Sequence, residues 1–146
     1  MLGHRYFDSG DIPRMRAAYT LSLTAAKKVP HYNVHANGQK WIFSTNFYWA
    51  RHETDFTIKE ACLVRIMSIP TENFHRELIV TKYIRALQWL IKNSKAVEAI
   101  EKGKASMKQF QQDGRITKEE YDAAFMSFPK FEEAEPGTHD FKVGNP

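Results

Sequence analysis

The 146-residue chain has a single cysteine, Cys62. No internal disulfide can form and no cysteine-built zinc cluster is possible, which fits a reducing compartment. No window approaches the roughly 18 uninterrupted apolar residues that a membrane-spanning helix requires. The opening residues, MLGHRYFDSGDIP, contain no apolar stretch of signal-peptide length, and aspartates interrupt them. The expectation is a soluble, intracellular protein without a membrane span, its compartment (cytoplasmic or organellar) left open. Motifs of chemistry are also missing: there is no nucleophile elbow, phosphate-binding glycine loop, dinucleotide fingerprint or zinc-protease helix. The expectation is therefore no catalytic residue, no cofactor and no metal.

The most informative absence is of negative charge. From Ile12 to His52 there is no Asp or Glu, whereas Arg14, Arg16, Lys27, Lys28, Lys40 and Arg51 all fall in that stretch. Acids and bases nearly balance afterwards, so the net charge of +4 is concentrated in the first third. Such a field draws an anionic partner: nucleic acid, a membrane surface or an acidic protein face.

What is present is enough to fold. An apolar content of 42% with 13% aromatics can bury a core and argues against global disorder. The pattern predicts a mainly α, small helical domain of about five helices over residues 1–128. A short β-hairpin or extended aromatic segment near residues 31–45 interrupts it, and an extended, acidic, proline-containing tail covers 129–146. Pro13 suits a first helical turn and Ser9 or Asp11 can cap it; Met15, Tyr19, Leu23 and Ala26 then give one apolar face as far as Val29. Asn37-Gly38 between runs rich in Val, Ile, Trp and Phe predicts the hairpin, with Trp41 and Phe43 on one strand face and Ile42 on the other. Thr57 with Glu60 reads as a capping box for a helix ending before Pro70, and Thr71 opens a long helix to Lys92. Ser94 to Gln112 follows, closed by Asp113-Gly114. Thr117 with Glu120 forms a second capping box for the helix stopped by Pro129.

Three clusters bear on function. His31 and His35 are spaced like a chelating pair, but Pro30 and Asn37-Gly38 disfavour the helix that would align them, so surface histidines are expected. Lys40 and Arg51 bracket Trp41, Phe43, Phe47, Tyr48 and Trp49, the mixture of cations and rings that holds single-stranded nucleic acid; a packed aromatic core is the competing reading. Gln109 and Gln111 stand where a calcium-binding loop would need carboxylates, which excludes such a loop around Gly114.

Two stretches resemble known families. Met107, Phe110, Gly114, Ile116, Thr117, Glu120, Tyr121 and Phe128 resemble the short C-terminal helical hairpins called SHOCT-like. That resemblance covers about two dozen residues and implies an interaction module rather than an active site. The run YFDSGD, Tyr6 to Asp11, resembles the phosphatase-inhibiting motif of the endosulfine family, where the serine matching Ser9 is phosphorylated. Ile12-Pro13 departs from that family's continuation, which returns Ser9 and Asp11 to the role of helix caps.

The functional expectation is a non-enzymatic accessory or structural subunit acting through protein–protein contacts. The alternative is a nucleic-acid-binding protein. The contact residues expected are Arg14, Arg16, Lys27, Lys28, Lys40, Trp41, Trp49 and Arg51.

Overall fold

A computed structural model describes residues 2–28 and 36–132. His31, His35 and the tail from 133 onward lie outside the described residues. The chain divides into two compact units, Met1–Asn73 and Phe74–Pro146, at a point where the sequence pattern marked no boundary.

The first unit holds α1 (Leu2–Asp8), α2 (Ile12–Lys28), α3 (Ala36–His52) and α4 (Phe56–Met67). Helix α1 stops at Gly10, whose φ of 80° only glycine adopts without strain. The Asp11 N–H then bonds back to the Tyr6 carbonyl and the Gly10 N–H to that of Phe7, closing a Schellman motif. The YFDSGD run is thus a helix stop: Ser9 Oγ donates to the Tyr6 carbonyl at 3.0 Å, and Asp11 caps α2 by accepting from the Arg14 N–H. Met15, Tyr19, Leu23 and Ala26 are all buried, as their spacing required. Gly3 is buried against the Tyr19 ring, where even a Cβ would lie 2.5 Å from a ring carbon.

No β-hairpin forms over the described part of residues 31–45. Residues 36 onward are helical, and among the described residues there is no strand. Asn37 and Gly38 fall in the first turn of α3, where poor helix formers cost little. Beyond them the dominant period is helical rather than alternating: Gln39, Ile42, Phe43, Asn46, Phe47 and Ala50 are buried at spacings of three and four. Trp41, expected on the same face as Phe43, instead stays 48% exposed while Phe43 is fully buried. The contacts Trp41–Ser22, Tyr19–His52 and Arg16–Glu53 run in opposite directions along the two helices, so α2 and α3 are antiparallel. Helix α4 is capped by Asp55, whose side chain accepts from the Ile58 N–H, rather than by Thr57.

The second unit begins with α5, a continuous helical run over residues 76–93: one α turn Arg76–Leu78, a π-helical segment Ile79–Tyr83 and an α segment Ile84–Asn93. His75 is its N-cap, four residues beyond the expected Thr71. Helices α6 (Val97–Gln112) and α7 (Lys118–Ala124) follow. The helix expected to reach Phe128 therefore stops at Ala124. Asp113-Gly114 ends α6 through a second Schellman motif, and Thr117 and Glu120 form the expected capping box. The core gathers Phe74, Ile79, Tyr83, Leu87, Leu90, Met107, Phe110 and Ile116. Buried Arg85 donates to the Lys130 carbonyl, and Gln88 to those of Ala124 and Ser127, which ties the chain after α7 onto α5.

Among the described residues seven helices thus stand where about five were expected. The two unforeseen ones are α1 and α3, and the mainly helical class holds.

Candidate functional site

The expected contact residues lie on α2 and α3, and the fold separates them into two groups. One group is consumed inside the unit. Arg16 reaches Glu53 with Nε at 2.9 Å and Nη2 at 2.6 Å, a bidentate ion pair. Trp49 is 8% exposed, with its ring stacked near Tyr19 and its indole N–H donating to Glu53 Oε1 at 3.1 Å. Arg16 is thereby neutralised while its side chain keeps 36% exposure, and Trp49 offers no open ring face to a base. Arg51 is half-buried.

The other group faces outward. Arg14, Lys27, Lys28 and Lys40 are exposed, and Trp41 lies alongside α2 with its indole N–H on Ser22 Oγ at 3.1 Å. Arg14 sits 3.5 Å from Asp11 in an exposed pair of little energetic weight. On α2, Arg14, Leu21 and Lys28 are seven residues apart and therefore share one stripe, with Ala17 and Ala25 beside them. Leu21 is 68% exposed.

Sequence reading missed the polar cluster that these helices enclose. Glu53 follows α3 directly, and besides Arg16 and Trp49 it accepts the backbone N–H groups of Thr54 and Asp55. Burial pushes its carboxyl pKa up, but the Arg16, Asp55 and Trp49 hydrogen bonds outweigh that and hold it at about 2. Next to it, His52 Nδ1 meets the Tyr19 hydroxyl at 3.1 Å, while Phe7 stacks on the imidazole at 4.0 Å and His4 packs edge-on at 5.3 Å. Burial, then the neighbouring His4 and Arg51, lower the His52 pKa to about 4, and burial also lowers that of His4. Both rings are therefore neutral at pH 7, and the Tyr19 O–H, itself pushed to a higher pKa by burial, donates to Nδ1. The only sequence signal was that Glu53 is the first acid after the acid-free stretch.

These shifts set an expected pH response. The folded pKa of His52 lies below its ordinary value of 6.5, so its contribution is complete above pH 6.5 and lost as pH falls toward 4. Discounted for partial exposure, the loss is roughly 2 kcal/mol. Urea midpoints measured between pH 7 and 4 should fall, and His52→Phe should flatten that slope.

Cys62 is fully buried in α4 beneath Arg65, whose Nη2 approaches Sγ at 3.3 Å. Burial raises the thiol pKa to about 12, against a smaller opposing pull from Arg65. A thiol so protonated is inert. Iodoacetamide should therefore label Cys62 in urea and leave the native protein unmodified at neutral pH.

Arg65 of α4 is a further cation of the region. Its Nε donates to Asn46 Oδ1 at 2.8 Å and its guanidinium lies 5.6 Å from the Trp49 ring centroid. It borders a crevice of about 210 Å³ lined by Lys27, Gln39, Ile42, Ser68, Ile69 and Pro70. A second crevice, about 250 Å³ between Thr20, Leu23, Thr24 and Trp49, also includes Lys27 and Arg65.

Among the described residues no three His, Cys, Asp or Glu side chains converge as a metal site would require, and no helix is long and apolar enough to cross a membrane. No family model, curated protein or solved structure matches the chain.

Proposed function

We propose that the protein is a non-enzymatic accessory or structural subunit that works by binding, with the outer stripe of α2 as its docking surface. The observation that carries this reading is the exposed seam Arg14, Ala17, Leu21, Ala25 and Lys28. A large apolar side chain stands at its middle, small residues flank it, and a cation closes each end. An approaching helix can settle on alanines and wrap a protruding leucine, as in helix-in-groove recognition. Carboxylates on that helix would meet Lys28 and Arg14, the latter held only in an exposed pair with Asp11, and the stretch from Ile12 to His52 carries no acid. The occupant is therefore an acidic amphipathic helix of another protein. Trp41, half-exposed beside the same helix, adds the kind of ring that anchors interfaces. Tyr19, His52, Glu53 and Cys62, all strongly perturbed titratable groups, are packed against neighbours, which favours a structural over a chemical role.

A photo-crosslinker placed at Leu21 tests this, with one at exposed Lys102 as control. Crosslinking to an acidic protein at Leu21 alone, abolished by Lys28→Glu, is the expected result. Equal crosslinking at both positions, or indifference to Lys28→Glu, would show that the stripe is not the docking surface.

Nucleic-acid binding is the second reading, favoured by Trp41 beside Lys40 and by Lys27 and Lys28 at the end of α2. Burial of Trp49 and pairing of Arg16 reduce its resources to a single stacking ring and fewer cations. Retention on single-stranded DNA or RNA that weakens steeply with salt would support it over the protein partner.

A further inference from the structure

We propose that the crevice where α2, α3 and α4 of the first unit meet binds a small organic oxyanion, its phosphate or carboxylate held between Lys27 and Arg65. Lys27 and Arg65 line both crevices, so each crevice is bordered by the same two positive side chains. Arg65 is half-buried and already oriented: Asn46 fixes Nε and Trp49 lies within cation–π distance of the guanidinium. The Nη2 atom has only a sulfur acceptor, and the Nη1 side of the fork has no acceptor among the described residues. Nor does a carboxylate among the described residues pair with Arg65 or Lys27. A guanidinium withdrawn from water without a counter-charge is costly, and a bidentate oxyanion is the complement its planar fork fits best.

The remaining lining narrows the ligand class. The hydroxyls of Thr20, Thr24 and Ser68 already donate to carbonyls of their own helices, which leaves the two cations as the charged donors of the lining, beside the Gln39 amide. That favours a charged over a neutral polar ligand. Ile42, Ile69 and Pro70 form an apolar wall next to the cations. Each cavity lies below the roughly 300–1,000 Å³ usual for drug-sized ligands, which limits the apolar body to about one ring. Lys27 lies with Thr20, Leu23 and Thr24 on a different face of α2 from the Arg14–Leu21–Lys28 stripe, so this inference does not rest on the docking reading.

The test is a titration of the full-length protein with phenyl phosphate and with benzoate, followed by 1H–15N spectra; benzyl alcohol is the neutral probe. Saturable shifts of the Arg65 Nε–H and Trp49 indole N–H signals are expected with at least one anion and absent with the alcohol. Lys27→Gln, an exposed change that leaves the packing intact, should weaken binding roughly tenfold by removing a charge-assisted hydrogen bond. Arg65→Lys should weaken it comparably while the circular dichroism spectrum stays native. If Arg65→Lys disturbs the fold, Lys27→Gln alone decides. Failure of both anions to give saturable shifts, or affinity unchanged in Lys27→Gln, overturns the proposal. Either outcome leaves the crosslinking result at Leu21 untouched.

Discussion

Replacing Glu53 with glutamine should remove about 3–5 kcal/mol from the stability of the first unit, the loss expected when one partner of a buried ion pair is taken away. The Glu53 side chain has no solvent exposure and receives hydrogen bonds from Arg16, Trp49, Thr54 and Asp55. Every one of these groups is a donor, and an amide turns half of the acceptor into another donor. The variant must then leave buried N–H groups unpaired or rotate its NH2 against them. The pH dependence isolates the carboxylate. Its folded pKa of about 2 lies below the ordinary 4.5, so its stabilisation is complete above pH 4.5 and disappears as pH falls toward 2. The gap corresponds to roughly 3 kcal/mol. Chemical denaturation at pH 7 should show the full deficit in Glu53→Gln, and at pH 2 wild type and variant should converge. A deficit of the same size at both pH values would mean that packing, not charge, is what the side chain supplies.

Truncating Phe110 should destabilise the second unit by about 3–5 kcal/mol, the range for removing a buried aromatic side chain. The ring is fully buried, edge-on to Tyr83 at 5.3 Å and tilted toward Phe74 at 6.3 Å, with the Arg115 guanidinium over it at 4.7 Å. Its carbonyl also accepts the Arg115 N–H that closes the turn after α6. Phe110→Ala keeps that backbone bond but removes the floor under Arg115, which in turn bonds Asp113 and the Phe74 carbonyl. Phe110→Leu retains much of the volume and should cost less than half as much. Hydrogen exchange at the Arg115 and Gly114 amides would report whether the turn loosens with the core.

The parts legible in the sequence were those governed by neighbours along the chain. Met15, Tyr19, Leu23 and Ala26 declared their face through spacing alone, and Thr117 and Glu120 declared a cap through chemistry that needs no tertiary partner. The error at α3 has a definite origin. Asn37-Gly38 is a strong turn signal only when strands flank it, and the apolar run beyond it satisfies a helical face as well as an alternating one. Its burial by α2 and α4, which decides between the two, is invisible to local pattern. The Glu53 cluster was illegible for a similar reason. Arg16 and Glu53 are 37 positions apart, and only antiparallel packing of α2 on α3 makes them partners. The basic first third was read from composition, but composition could not tell that Arg16 and Trp49 turn inward while Lys27 and Arg65 border one crevice.

The π-helical segment Ile79–Tyr83 sets the angular phase of the rest of α5. Its wider turn, closed by the Ile84 N–H on the Ile79 carbonyl, places one more residue in the circuit than an α turn would. Everything downstream is thereby rotated by about 100° relative to an uninterrupted α-helix. With that offset, Tyr83, Leu87 and Leu90 face the core, and Gln88 reaches the carbonyls of Ala124 and Ser127. Deleting a single residue from this turn would let it close as an ordinary α turn and leave the downstream stripe in phase, whereas the same deletion farther along the helix would swing the residues beyond it out of register.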